Sequence, residues 1–195
     1  MTETSPTQPT PEEALASFAT AIDGYEQRIG HACRAVAGHV VQGLSNVPAG
    51  SVVLDNACGT GAVTDVLVRT YLDLRVYASD AIPGMIAAFR AIRATQRDWQ
   101  SSVIEASVMD AQDLKYTDNF FDLHIINFAI HFIQDPAKAM TEAHRTLKVG
   151  GRFVITAWRV IGFKPVLWEV QRRIKPVHLL KELPVVDRWC DGTLL

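Results

Sequence analysis

"SVVLDNACGTGAVTDVL", residues 51–67, is the stretch on which the fold turns. An apolar run, Val52 to Leu54, ends at the acid Asp55. A turn carrying Gly59 and Gly61 follows, and apolar positions then recur at helical spacing from Ala62. Strand, glycine turn and helix in that order open an α/β unit whose backbone can approach a ligand closely. Asp55 restricts what that ligand is. A pyrophosphate seated at the helix N-terminus would bring two negative charges near the acid. The dinucleotide spacing G-x-G-x-x-G is also poorly met, reading Ala57, Gly59 and Ala62. A ligand that is cationic at this point removes the conflict.

The same alternation continues on either side. Upstream, apolar residues fall at three- and four-residue spacing, with Pro11, Glu12 and Glu13 suited to a first helical turn and Gly24 and Gly30 expected to break the region into pieces. Downstream, "RVYASD" (75–80) reads as a strand, "PGMIAAFRAIRATQRD" (83–98) as one helix and "SVIEASVMD" (102–110) as a strand. A short polar helix or turn is expected at 111–120, and a strand at "FDLHIINFAI" (121–130). "DPAKAMTEAHRTLK" (135–148) reads as a helix closed by Gly150 and Gly151, before a strand at "RFVITAW" (152–158). Strands alternating with helices of this length predict a doubly wound α/β domain with a mostly parallel sheet.

Bulk properties exclude several classes. The 195 residues are enough for one well-packed domain, and 48% of them are apolar, which supplies a sizeable core. A net charge of −2 gives no basic face for nucleic acid. Arg172, Arg173 and Lys175 read as the solvated side of a helix. Cys33, Cys58 and Cys190 are far apart and lack CxxC spacing, which points to a reducing compartment and no structural zinc. Residues 1–11 resemble neither a signal nor a transit peptide and read as a disordered lead-in. No stretch approaches the roughly 20 apolar residues of a membrane span. A soluble cytoplasmic protein is expected.

In an open α/β sheet the ligand lies beyond the carboxyl ends of the strands. Here those ends carry Asp55, Asp80, Asp110 and the stretch Asn127 to His131. S-adenosylmethionine has no phosphate and bears a sulfonium and an ammonium beside its carboxylate. Asp55 can attract that cationic part, Asp80 can accept both ribose hydroxyls, and Asp110 can accept from the adenine amine with the Ala111 N–H near the ring. Each acid also has a plainer use, as a cap of the turn or helix that follows it.

These residues, in "VLDNACGTGAVT", "ASDAIPGM", "VMDAQDL", "FDLHIINFAIHFIQDP" and "RTLKVGGRFVITAW", resemble the class I S-adenosylmethionine-dependent methyltransferases. The likeness is to the small-molecule type related to ubiquinone/menaquinone-biosynthesis and fungal enzymes, and it covers residues 15–160. It implies a Rossmann-like fold and a cofactor flanked by Asp55, Ala57 and Gly59 at the methionine part. It further implies Asp80 at the ribose, Ile82 and Met85 beside purine or ribose, Asp110 and Ala111 at the adenine, and Asn127 below the sulfonium. Tyr25 matches an aromatic folded over the cofactor. The implied organisation is a helical cap at 12–48, a cofactor-binding core at 49–158 and a substrate-covering helical insert at 159–195.

Two departures stand out. Ala57 replaces the first glycine of the family's loop, which a backbone at negative φ tolerates. After "RFVITAW" the chain offers an insert but not the last strand pair, so the insert reads as truncated and the sheet edge as open to a second copy or a partner chain. A non-catalytic, methyltransferase-like subunit is therefore the rival reading, and a nicotinamide oxidoreductase a weaker one. Where the acceptor must lose a proton, His131 is the candidate for acid–base work, with His31 second. The plainer use of His131 is packing under the "FIQDP" loop that follows. His124 and Cys58 read as core. Trp158, Phe163 and Trp168 could line an apolar pocket for a small-molecule methyl acceptor. No hydrolytic triad or metal cluster is evident.

Overall fold

The computed structural model describes residues 24–45, 47–158 and 164–176, together with Glu13, Ala16, Ser17, Ala19 and Ile22. Among the described residues five strands, β1 (Val52–Asn56), β2 (Arg75–Asp80), β3 (Val103–Val108), β4 (Phe121–Asn127) and β5 (Leu147–Thr156), form one sheet in the order β3-β2-β1-β4-β5. Every pairing is parallel. The strand order reverses between β1 and β4, which puts the ligand crevice of this fold class at their carboxyl ends.

Every residue of β1 is buried, as expected of a central strand covered on both faces. One face carries α1 (His31–Gly43), α2 (Ala62–Thr70), α3 (Pro83–Thr95) and α4 (Arg97–Ser102). Its core joins Val53, Val76, Leu123 and Ile125 to Ala37, Val41, Leu67, Phe89 and Trp99. On the other face Val52, Leu54, Tyr77, Leu114 and Phe121 pack together, with Tyr116 and Phe120 against them. Helix α5 (Pro136–Thr146) starts with Pro136 in its first turn and is capped by Asp135, whose Oδ1 accepts from the Lys138 N–H at 3.0 Å. A last helix, α6, spans Lys164–Ile174.

Several expected boundaries move. Gly30 does not break the N-terminal region: a π-helical turn, Glu26–Gly30, runs directly into α1, and only Gly24 is left-handed, at φ 79°. The single helix expected over 83–98 is two helices parted at Gln96, whose extended backbone cannot continue a helix. Gly150 and Gly151 are not the C-cap of α5. That helix stops at Thr146, and both glycines lie within β5, whose register against β4 shifts between Phe121 and Leu123. The lead-in 1–11 and Phe163 lie outside the described residues, as does most of 159–195 apart from 164–176. Among the described residues no helix is long and apolar enough to cross a membrane.

Candidate cofactor site

Hydrogen bonds between strands set the shape of the turn after β1. The Cys58 N–H reaches the Ser79 carbonyl at 2.9 Å, and the Gly61 N–H returns to the Cys58 carbonyl at 2.9 Å. Ala57, Gly59 and Gly61 all adopt left-handed backbone, with φ of 56°, 54° and 98°. The expectation that Ala57 tolerates its position at negative φ is therefore wrong. The turn needs the conformation that glycine favours, and alanine adopts it at some strain. At Gly61 a side chain has no room: a Cβ would collide with the Trp99 ring and lie 2.9 Å from Phe89.

Asp55 is buried under this turn. Its Oδ2 accepts from both the backbone N–H of Thr64, at 3.0 Å, and the Thr64 hydroxyl, at 2.6 Å. The acid thus caps α2, whose own N-cap, Gly61, has no side chain to do so. Burial pushes its carboxyl up to about 6, against the pull of the two Thr64 bonds. Thr64, nine residues on, was not singled out from the sequence, and its spacing from an acid before a glycine turn is the signal that could have found it.

Asp80 closes β2 and fastens two loops. Its Oδ2 accepts from the Gly59 N–H at 2.8 Å and its Oδ1 from the Ile82 N–H at 2.9 Å. Burial raises its carboxyl above the ordinary range while those two N–H groups draw it back. Each oxygen keeps a second lone pair, the requirement for accepting a vicinal diol. Ile82 and Met85 are buried at the start of α3.

Asp110 lies two residues beyond β3, exposed, and turns its carboxylate onto its own loop. Oδ1 accepts from the Gln112 backbone N–H and the Gln112 amide, both at 2.9 Å. Ala111 is buried beside it. The Met109 N–H binds the Asp80 carbonyl at 3.0 Å, so this loop is tied to the end of β2. From α5, Arg145 donates to the Leu114 and Tyr116 carbonyls and Glu142 accepts from the Leu114 N–H, which hold the loop's far end.

Asn127 ends β4. Its Oδ1 accepts from Thr156 Oγ1 at 2.7 Å, and its Nδ2 lies 3.4 Å from the Cys33 carbonyl on α1. The next residue, Phe128, sits at φ 58°, an outlier for a bulky side chain. It is held there by its N–H bond to Thr156 Oγ1 at 2.9 Å and by stacking on Trp158 at 4.1 Å between ring centroids. Such strain concentrates at functional sites. His131 stands in a short 3-10 turn, Ile130–Phe132, and is buried. Its Nε2 accepts from the Trp158 backbone N–H at 2.9 Å, so the lone pair that a base would use is already bonded.

Tyr25 covers the turn. Its hydroxyl lies 3.7 Å from the position a Cβ on Gly59 would take, and its side chain neighbours Cys33 of α1. Burial raises both groups above their usual range. Ile22 lands on Gly84, where a Cβ would collide with it. The N-terminal segment therefore rests on the core at two bare glycines. His31 is exposed on α1, and Trp168 is half-buried on α6.

Behind the turn a neutral polar chain runs through the sheet. Ser79 Oγ donates to Asn56 Oδ1 at 3.0 Å, and Asn56 Nδ2 meets His124 Nε2 at 3.0 Å. Burial lowers His124 to about 3, so it is uncharged at neutral pH. Among the described residues no three His, Cys, Asp or Glu side chains converge as metal ligands would. A cavity of about 660 Å³ lies on the β3 flank between Arg90, Gln100 and Ser107, and none of Asp55, Asp80 and Asp110 lines it.

The matches to known proteins fall on this same region. A family model described as a methyltransferase domain matches residues 54–155, from β1 through β5. The chain is 34% identical over 118 residues to the ubiquinone/menaquinone biosynthesis C-methyltransferase of Hydrogenovibrio crunogenus, covering 60% of this chain and 45% of that protein. It is 31% identical over 147 residues to the demethylmenaquinone methyltransferase of Renibacterium salmoninarum, covering 75% of this chain and 55% of that one. It spans about half the length of the curated relatives it matches. An S-adenosyl-L-methionine-dependent methyltransferase of Methanococcus maripaludis superposes with a TM-score of 0.62 at 20% identity, covering 89% of this chain and 76% of that one, and so shares the fold. The chain belongs to the methyltransferase-domain family and has its class I, Rossmann-like fold, with ubiquinone/menaquinone-type methyltransferases among its relatives.

Proposed function

We propose that the chain binds S-adenosylmethionine and transfers its methyl group to a small organic acceptor. The observation that carries this reading is the pair of buried carboxylates, Asp55 and Asp80, under one glycine turn. That pairing suits a ligand with a cationic end and a diol, and it repels a pyrophosphate. The bare face of Gly59 below Tyr25 gives the backbone its close approach. When bound, the cofactor supplies a methyl group on a sulfonium, which departs as a neutral thioether.

In this reading Asp80 accepts the ribose hydroxyls, Ala57 and Gly59 flank the methionine part, and Asp55 favours its positive charge from below. Ile82 and Met85 wall the purine or ribose, Ala111 and Asp110 edge the adenine, and Asn127 stands below the sulfonium. Alignment of the acceptor on the cofactor can lower a barrier by roughly 7–11 kcal/mol without a base. We give His131 the task of anchoring Trp158, and with it the Phe128 stack, on the acceptor side.

The quinone-type names of the relatives make hydroquinones the first acceptors to try. The half-exposed length of β5 supports covering of that flank by a second copy or a partner chain, which light scattering would detect. A cytoplasmic setting belongs to the same proposal. The test is transfer of label from methyl-labelled cofactor to a panel of hydroquinones and phenols, with Asp80→Ala as control. Transfer lost in the variant supports the reading. A folded wild-type chain that transfers nothing and retains no cofactor overturns it.

A further inference from the structure

A chain of hydrogen bonds through Glu26 supports an inference that rests on the cofactor reading above. The π-helical turn Glu26–Gly30 belongs to a class of distortion that concentrates at functional sites. Within it the Glu26 carboxylate is held from two sides. Oε1 accepts from the Thr60 hydroxyl, in the glycine turn, and Oε2 from Arg34 Nη1 of α1 at 3.1 Å. Arg34 Nε continues to Asp65 Oδ2 of α2 at 3.2 Å. Asp65 Oδ1 also accepts from Arg69 Nε, at 2.9 Å, and from Trp99 Nε1, at 3.2 Å. Thr60, Glu26, Arg34 and Asp65 therefore form a hydrogen-bonded chain that joins the glycine turn, the π-helical turn, α1 and α2.

Gly30 makes this connection possible. Its φ of −55° suits any residue, so glycine is not needed there for its backbone. A Cβ at that position would stand 2.5 Å from Glu26 Oε2 and 2.7 Å from its Cδ. The missing side chain is the space in which the carboxylate lies back along the helix. Tyr25, the next residue toward the N-terminus, is the one set over Gly59.

We propose that Glu26 is a positioning residue that latches the Tyr25 segment over the glycine turn and so sets how fast the cofactor leaves. It touches no reacting atom. The test follows release of S-adenosylhomocysteine from wild type, Glu26→Ala, Gly30→Ala and the double variant, by stopped flow, beside thermal melts. Gly30→Ala should release about tenfold faster, the loss of a charge-assisted hydrogen bond. Its melting point should fall less than that of Glu26→Ala, because alanine is the better helix former and offsets part of the lost bond. The double variant should release no faster than Glu26→Ala, since both act through one contact. Wild-type release from a folded Gly30→Ala chain overturns the latch and leaves the cofactor reading standing. Failure of the wild-type chain to retain S-adenosylhomocysteine overturns both.

Discussion

The two sides of the sheet's crevice are built differently. At β1 and β2 nearly every group is buried and bonded: Asp55 to Thr64, Asp80 to Gly59 and Ile82, Ser79 to Asn56 to His124. At β5 no residue is fully buried, Val149 is 99% exposed, and α6 turns Val166, Val170 and Ile174 to solvent. The first region is held rigid by its own hydrogen bonds. The second is a surface left largely open among the described residues. The proposed function, a fixed cofactor with a particular acceptor, would be served by that division, because rigid dipoles bind without reorganising and open flanks can vary.

The largest test of this contrast compares two glycines with the same backbone sign. Gly61→Ala should destabilise by roughly 3 kcal/mol or more in urea unfolding, since left-handed strain adds to a collision with Trp99 and Phe89. Gly150→Ala in β5, also left-handed at φ 81° but with nothing within 4 Å, should lose only the backbone share, about 1–2 kcal/mol. Equal losses would dissolve the contrast.

Asp55 gives the next largest effect. Its carboxyl titrates near 6 when folded and at about 3.8 when unfolded, so between those values the native state holds more proton. Stability should therefore be highest below pH 4 in this group's contribution and fall as pH rises through 6. The span is up to about 3 kcal/mol, at 1.36 kcal/mol per pKa unit. Asp55→Asn should flatten that slope, and an unchanged slope in the variant would remove Asp55 as its source.

How far the molecule was legible follows the same division. The strand, glycine turn and helix from Ser51 to Leu67 could be read because their signals are local. The plainer uses of the acids are also present in the fold: Asp55 caps α2, and Asp110 binds its own turn at Gln112. Gly30 and Gly150 were misread because glycine signals a break only when nothing else explains it. One makes room for Glu26, and the other lies in a strand shaped by its pairing with β4. Phe128, Thr156 and Cys33 were missed since their relation to Asn127 and Tyr25 spans long separations that no local pattern encodes.

Two smaller effects sharpen the contrast. Ala57→Gly should stabilise by about 0.5–1 kcal/mol, the left-handed strain relieved less the entropy glycine adds to the unfolded chain. A loss of stability there would mean that the Ala57 methyl packs usefully. Val149→Ser should change stability by less than about 0.5 kcal/mol. A larger loss, appearing only at high protein concentration, would reveal that the β5 flank is covered by another copy.

The most direct measurement is a calorimetric titration of the purified chain with S-adenosylhomocysteine, with NAD run alongside and Asp80→Ala as the control. Micromolar binding of S-adenosylhomocysteine, none of NAD, and loss of binding in a folded Asp80→Ala chain is the expected result. Preference for NAD, or no binding of S-adenosylhomocysteine by the folded wild-type chain, would contradict the assignment of the glycine turn and its two carboxylates to a cationic, phosphate-free cofactor.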